Sequence, residues 1–306
     1  MEDRAKKYLL VVLFITIIAF SAKTFMRTAY LTKKAPAPLH KPTSYALEVP
    51  VLGYHAFAST SQEYKYRKNA YVLPIELFDK QMKYLYENGY KTVTLPDLEG
   101  FLEHKKLLPP KSVAITMDDG YENNYTLAYP ILKKYRFNAT VFIIGAYIRK
   151  DGTKSKSPFP LLTYSEMRNS EDVFSFGYHT YNLHRVIHHK PALIMASRSQ
   201  ILNDLEEEKQ LFSSYNWVPY LAYPYGRYND NVIQALKKAG IRMAFTTTEG
   251  DVKPGDNPYT LKRHMITPYV SMDEFKVMVG NGSYEEKLKV RFRHILSRVH
   301  KVIKVI

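Results

Sequence analysis

The chain has 306 residues, 45% hydrophobic and 24% charged, which suits one large folded domain or two small ones and excludes a disordered or fibrous chain. It has no cysteine, so disulfides, thiolate metal sites, a cysteine nucleophile and a lipid-modified N-terminal cysteine are excluded, and any metal must be held by His, Asp or Glu. The formal charge is +15, from 44 Lys and Arg against 29 Asp and Glu; no nucleic-acid motif accompanies it, so a membrane or envelope partner is expected rather than nucleic acid.

The first element is the uncharged apolar run of residues 8–22, preceded by Arg4, Lys6 and Lys7 and ended by Lys23. Residues 1–27 are expected to form an uncleaved N-terminal transmembrane helix in the cell membrane, single-pass, with the rest of the chain outside. A cleaved signal segment, leaving a secreted protein, and a buried core helix are the alternatives. Residues 28–48 carry Pro36, Pro38, Pro42 and scattered lysines with no apolar period, and read as a linker.

From residue 49 strands and helices alternate. A buried strand over 49–54 is followed by a helix over 75–87, where Leu77, Phe78, Met82 and Leu85 share a face and Gly89 marks the stop. A strand at 90–95, a helix at 97–104 and a strand at 112–117 lead into Asp118-Asp119-Gly120. A helix over 123–135 and a strand over 139–144 come next. Then follow a short helix at 164–169, a strand at 173–178 ending at His179, and a long helix over 192–213. A strand at 219–223 ends in Pro224-Tyr225-Gly226. Helix 230–239, strand 241–246, strand 261–266 and helix 272–279 complete a domain of residues 49–282. About seven strand–helix units predict an α/β fold, a distorted (β/α) barrel of about seven parallel strands. In the tail, residues 283–306, Leu288, Phe292, Ile295, Val299, Val302 and Ile306 fall near one helical face with cations opposite. The tail reads equally as a membrane-surface helix and as a helix packed on the barrel.

In parallel α/β folds, functional residues gather where strands end. His55, Asp118 with Asp119, His179 and Tyr225 all sit there. Adjacent carboxylates at a strand end can diverge, one binding a cation while the other faces substrate. His179 and His184 lie five apart in a loop; with one carboxylate they make a ligand set for zinc or another divalent transition metal. His188 and His189 read as a surface pair. In Tyr223-Pro224-Tyr225-Gly226 the proline fixes the backbone and the glycine relieves the turn, which can present the Tyr225 N–H to a reacting oxygen.

Three ordered motifs, Thr116-Met-Asp-Asp-Gly120, His179-Thr-Tyr-Asn-Leu-His184 and Tyr223-Pro-Tyr-Gly226, resemble those of the polysaccharide deacetylase (NodB-homology, carbohydrate esterase 4) family. The resemblance spans roughly residues 49–280. The five-residue histidine spacing and Gly53-Tyr54-His55 are similar to the branch acting on poly-N-acetylglucosamine. What it implies is the NodB-homology barrel and a hydrolase removing N-acetyl groups from a cell-surface polysaccharide. That polymer is expected to be poly-β-1,6-N-acetyl-D-glucosamine, with peptidoglycan or chitooligosaccharides as the alternative and a silent glycan-binding protein as the second. The resemblance further implies that Asp119, His179 and His184 hold a divalent ion, zinc first, then nickel, cobalt or iron. Asp118 would be the general base, the Tyr225 N–H the oxyanion donor and His55 the acid for the departing amine. The arginine that many members carry shortly before Pro-Tyr-Gly is missing; Arg263 is the candidate to replace it, while His264, on the opposite face of its strand, reads as structural. Tyr121, Tyr178, Tyr181, Pro224 and Arg263 are expected to line the sugar groove, with Tyr225 and Trp217 near it.

Overall fold

Short buried runs of β-branched and aromatic residues set the strand positions, and side-chain caps start many of the helices between them. In chain order the elements are β1 (Val51–Tyr54), β2 (Ala56–Ala58), β3 (Val72–Pro74), α1 (Ile75–Glu87), β4 (Lys91–Thr92), α2 (Leu95–Leu102) and β5 (Ser112–Met117). A π-helical turn (Asn124–Ala128) and α3 (Tyr129–Tyr135) precede β6 (Ala139–Ile143), α4 (Tyr164–Arg168), β7 (Phe174–Tyr178) and the hairpin β8 (Val186–Ile187)–β9 (Lys190–Pro191). Then come α5 (Ala192–Met195), α6 (Arg198–Phe212), β10 (Trp217–Ala222), α7 (Asp230–Lys238), β11 (Met243–Phe245), β12 (His264–Met265) and α8 (Met272–Met278). This computed structural model describes residues 45–280 apart from 60, 62–64 and 67.

Seven strands run in the order β11-β10-β7-β6-β5-β1-β12, with β4 also paired to β5. Every pair is parallel. A parallel bridge between Phe245 and Leu261 brings the end of β11 against the segment leading into β12, so the sheet curls into a distorted barrel. The expected barrel of about seven parallel strands is thus what forms. Alternation divides its side chains between two packed faces: Val51, Ala114, Phe142, Tyr220 and Phe245 join one core cluster, while Leu52, Ile115, Val141, Phe174 and Phe176 join another with α1 and α3. Register aligns the strand ends: Tyr54 pairs with Met117, and Ile143 with Tyr178, which pairs in turn with Leu221. His55, Asp118, His179 and Tyr223 therefore emerge at one rim.

Several expected elements differ, and the strand over 261–266 is reduced to β12. The helix over 192–213 is two, because Ser197 accepts from the Gln200 N–H in a capping box that starts a fresh helix, leaving Ala196 extended. The helix over 123–135 begins as a π turn, with Pro130, which lacks an N–H donor, inside it at the start of α3. Strand 90–95 shrinks to β4 because Thr94 caps α2.

The expected N-terminal transmembrane helix is corrected. Among the described residues no helix is long and apolar enough to cross a membrane. Residues 1–27 and the basic tail lie outside the described residues. The expectations of a single-pass cell-membrane location, of a secreted form after signal cleavage and of a membrane partner rested on those segments and are withdrawn.

Candidate active site: an Asp-His-His cluster at the barrel rim

β5 delivers Asp118 and Asp119 to the rim. Asp118 continues the parity of Ala114 and Thr116, whereas Asp119 turns away because its backbone is left-handed (φ 74°), followed by Gly120 at 77°. A Cβ on Gly120 would approach the Ile143 side chain to 2.9 Å, so the turn needs glycine for space as well as conformation. The two carboxylates diverge, as expected.

Asp119 meets both histidines. Its Oδ1 lies 3.3 Å from His179 Nε2 and 3.2 Å from His184 Nε2. One ligand atom from each of the three residues lies within 4.8 Å of the others. His179 Nδ1 sits 2.7 Å from the Ala222 carbonyl, an acceptor only, so Nδ1 carries a proton and Nε2 faces Asp119. Asp119 Oδ1 is buried and has no hydrogen-bond donor. An orphaned anionic oxygen opposite two imidazole nitrogens is a donor set for a cation, and the cluster can chelate a divalent metal ion. Burial works to raise the Asp119 pKa, but contacts from His179 and His184 hold it well below the usual range. Burial works to lower His179, and Asp119 and Asp118 outweigh it and push it up. The two shifts show carboxylate and imidazole each holding the other's charged form, and a bound cation can take the place of that proton.

Asp118 is held from behind. Arg263, wholly buried, donates Nη1 to Asp118 Oδ1 and Nη2 to Oδ2, both at 2.7 Å. Its Nη1 also reaches Thr116 Oγ1 (3.1 Å) and its Nε the Thr246 carbonyl (3.0 Å). Burial alone would raise Asp118, yet the guanidinium holds it below the ordinary value, ionised at neutral pH. His55 Nε2 stands 4.0 Å from Asp118 Oδ2, its ring 4.9 Å from that of Tyr71. Burial pushes the His55 pKa down against the pull of Asp118 and Asp119. Asn124 Nδ2 donates to the His55 carbonyl, fixing the strand end.

Tyr225 is left-handed (φ 58°) at the centre of the Pro224–Gly226 turn; its hydroxyl donates to the His184 carbonyl, and the two rings lie 4.8 Å apart. A cleft of about 500 Å³ opens over these groups, lined by His55, Asp118, Asp119, His179 and His184, with Tyr71, Tyr121, Phe159 and Tyr225 at its walls. Burial, then the charge of Asp119, pushes the Tyr121 phenol up.

Several of the residues expected along the sugar groove lie elsewhere. Tyr178 is buried against Trp217, ring centroids 4.8 Å apart, and neither lines the cleft. Tyr181 packs behind the ligand loop, Pro224 is buried in its turn, and Arg263 lies under Asp118; none of the three lines the cleft. His264 points away from the site, with Nε2 2.9 Å from Asp251 Oδ1. His188 and His189 form the exposed tip of the β8–β9 hairpin. Sequence reasoning missed Tyr71, which the β2–β3 pair delivers, and Asp204 and Glu208, buried behind the histidine loop. The last two were readable: they fall with Ile201, Leu205 and Phe212 on one face of α6.

Fold and site together define a metal-coordinating hydrolase site at the carboxyl ends of barrel strands. The profile described as polysaccharide deacetylase matches residues 105–244. YxkH of Bacillus subtilis (strain 168), which carries a polysaccharide deacetylase name, is 32% identical over 250 residues, 81% of this chain and 79% of that protein. The poly-beta-1,6-N-acetyl-D-glucosamine N-deacetylase of Staphylococcus aureus (strain MSSA476) is 34% identical over 216 residues, 69% of this chain and 72% of that protein. Among solved structures, the Streptococcus pyogenes deacetylase PplD in complex with acetate superposes with a TM-score of 0.65 at 27% identity, over 76% of this chain and 98% of that one. The chain belongs to the polysaccharide deacetylase family, a NodB-homology carbohydrate esterase of the deacetylase type, and is a hydrolase.

Proposed function

We propose that the chain hydrolyses N-acetyl groups on poly-β-1,6-N-acetyl-D-glucosamine, releasing acetate and leaving free amines. The observation that carries the substrate is the 34% identity to the Staphylococcus aureus enzyme named for that polymer. The cleft supports it: apart from the Asp and His residues of the site its lining is uncharged, with no Lys or Arg among the described residues to meet a carboxylate-bearing glycan. Tyr71, Tyr121 and Tyr225 offer aromatic faces and hydroxyls suited to a neutral sugar chain.

Asp119, His179 and His184 would hold the ion. When bound there, it supplies Lewis-acid polarisation of the acetamide carbonyl and acidifies a water. Asp118, kept ionised by Arg263, accepts the proton from the water that attacks the carbonyl carbon. The Tyr225 N–H faces the oxygen on which charge develops; such a donor contributes roughly 3–4 kcal/mol to transition-state stabilisation. Burial depresses His55, so its ring is neutral between turnovers; the proton that Asp118 takes from the water passes to it across the 4.0 Å between them, and the protonated ring gives it to the amine as the C–N bond breaks. Zinc-loaded protein should be incubated separately with poly-N-acetylglucosamine and with peptidoglycan, and free amines counted. Amines appearing on the first polymer support the reading; amines on peptidoglycan alone replace the substrate, and acetate from neither removes the enzymatic reading.

A further inference from the structure

The histidine loop has a fixed shape that no feature of the barrel imposes by itself. Thr180 is left-handed (φ 72°), so the chain reverses immediately after His179 and must return His184 to the same point. Four backbone groups in the reversal are paired. The Thr180 and Tyr181 carbonyls accept from the Gly145 and Ala146 N–H groups, at 3.3 and 2.8 Å. The Tyr181 and Asn182 N–H groups both donate to one carboxylate, that of Asp204, at 2.7 Å to Oδ2 and 2.8 Å to Oδ1. Asp204 is 8% exposed and sits one turn before Glu208, whose Oε1 lies 3.4 Å from the His179 N–H. The helix is pressed close: a Cβ on Gly145 would stand 3.3 Å from Glu208 Cγ and 2.7 Å from the Tyr181 ring.

We infer that Asp204 is a positioning residue, which pre-forms the His179–His184 loop so that both imidazoles converge on Asp119 before any ion arrives. This rests on the metal-dependent reading above. A carboxylate is suited to the task because it accepts two N–H bonds with two oxygens; a carboxamide of the same shape accepts only one and turns its own donors on the other. Asp204 touches neither ligand side chain, so its effect runs through the backbone that carries them.

The test compares the native full chain with Asp204→Asn and, as a control on the exposed face of α6, Glu207→Gln. Zinc affinity is measured by competition with a chromophoric chelator, alongside the melting temperature and kcat at saturating zinc. Loss of a partner that orients metal ligands typically weakens affinity by about 10–100-fold. That loss is expected for Asp204→Asn, with kcat recovering at saturating zinc and Glu207→Gln unchanged. A folded Asp204→Asn chain that binds zinc as the native one does, even with a lowered melting temperature, overturns the inference. A native chain that binds no zinc instead overturns the metal-dependent reading and this inference with it. Amide exchange in the zinc-free native chain provides a check that needs no variant. The Tyr181 and Asn182 amides should be protected like those of the barrel strands, and free exchange at both contradicts a pre-formed loop.

Discussion

Replacing Arg263 by methionine removes a guanidinium that makes two 2.7 Å bonds to Asp118 and is wholly buried. Methionine fills much of the volume, so the effect isolates the lost charge. Breaking a buried ion pair while leaving one partner costs about 3–5 kcal/mol, and at about 2–4 °C per kcal/mol for a large domain the melting temperature should drop by roughly 6–20 °C. The pH dependence carries the mechanism. Asp118 is depressed below 3.8 in the native fold, so the pairing stabilises fully above that value and is lost as pH falls through the folded pKa. The penalty of Arg263→Met should therefore be full at pH 7 and shrink below about pH 4. With the guanidinium gone, the strongest pull holding Asp118 down is lost and its pKa rises, so the acid limb of kcat/KM should move to higher pH. Arg263→Lys, which cannot make the fork, should lose about 10–100-fold in kcat/KM, the worth of one charge-assisted bond. The assay is urea unfolding across pH with acetate release in parallel. A loss below about 1 kcal/mol at pH 7, with an unmoved acid limb, would refute the argument that Arg263 sets the charge of Asp118.

Asp118→Asn should bind zinc with native affinity but lose about 10²–10⁴-fold in kcat, the usual contribution of a general base, whereas His184→Ala should fail to retain zinc after dialysis. At Gly226, φ is 66° and an added Cβ would collide with the Thr247 side chain. Gly226→Ala should cost more than about 1 kcal/mol by chemical denaturation and lower kcat/KM by displacing Tyr225. Burial pushes the Asp204 carboxyl up to about 6. Its contribution to stability is thus full below about pH 4 and lost as pH rises through about 6, and Asp204→Asn should flatten the unfolding free energy between those values.

Much of this architecture was legible because parallel strands buried on both faces leave mostly apolar runs, such as those of β5 and β6, interrupted only by Ser112, Thr116 and Thr140. The chemistry-bearing residues stood where those runs stop. Asp118, Asp119, His179 and His184 could be named because each directly follows a strand or lies in the loop just beyond one. What escaped depends on contacts distant along the chain. Tyr71 reaches the cleft only because β2 pairs with β3, two short elements too brief to announce themselves. Arg263 is 145 residues from Asp118; the resemblance offered it in place of the missing arginine, and the folded chain supplies the two bonds that join it to Asp118. Tyr178 looked like a groove residue from its place beside His179, but alternation sends it outward into the core with Trp217. Asp204 illustrates the converse: an acid on an apolar helical face signals a buried partner, and only the folded loop shows that the partner is two backbone amides.

The central claim is that one cation is shared by Asp119, His179 and His184, with Asp118 left free beside it. Anomalous diffraction at the zinc edge from a zinc-soaked crystal tests it most directly. A single peak at about 2.0–2.2 Å from Asp119 Oδ1 and both Nε2 atoms, with Asp118 still forked on Arg263, is the predicted result. A peak that engages Asp118 in place of Asp119, or no peak in crystals that still release acetate, contradicts it.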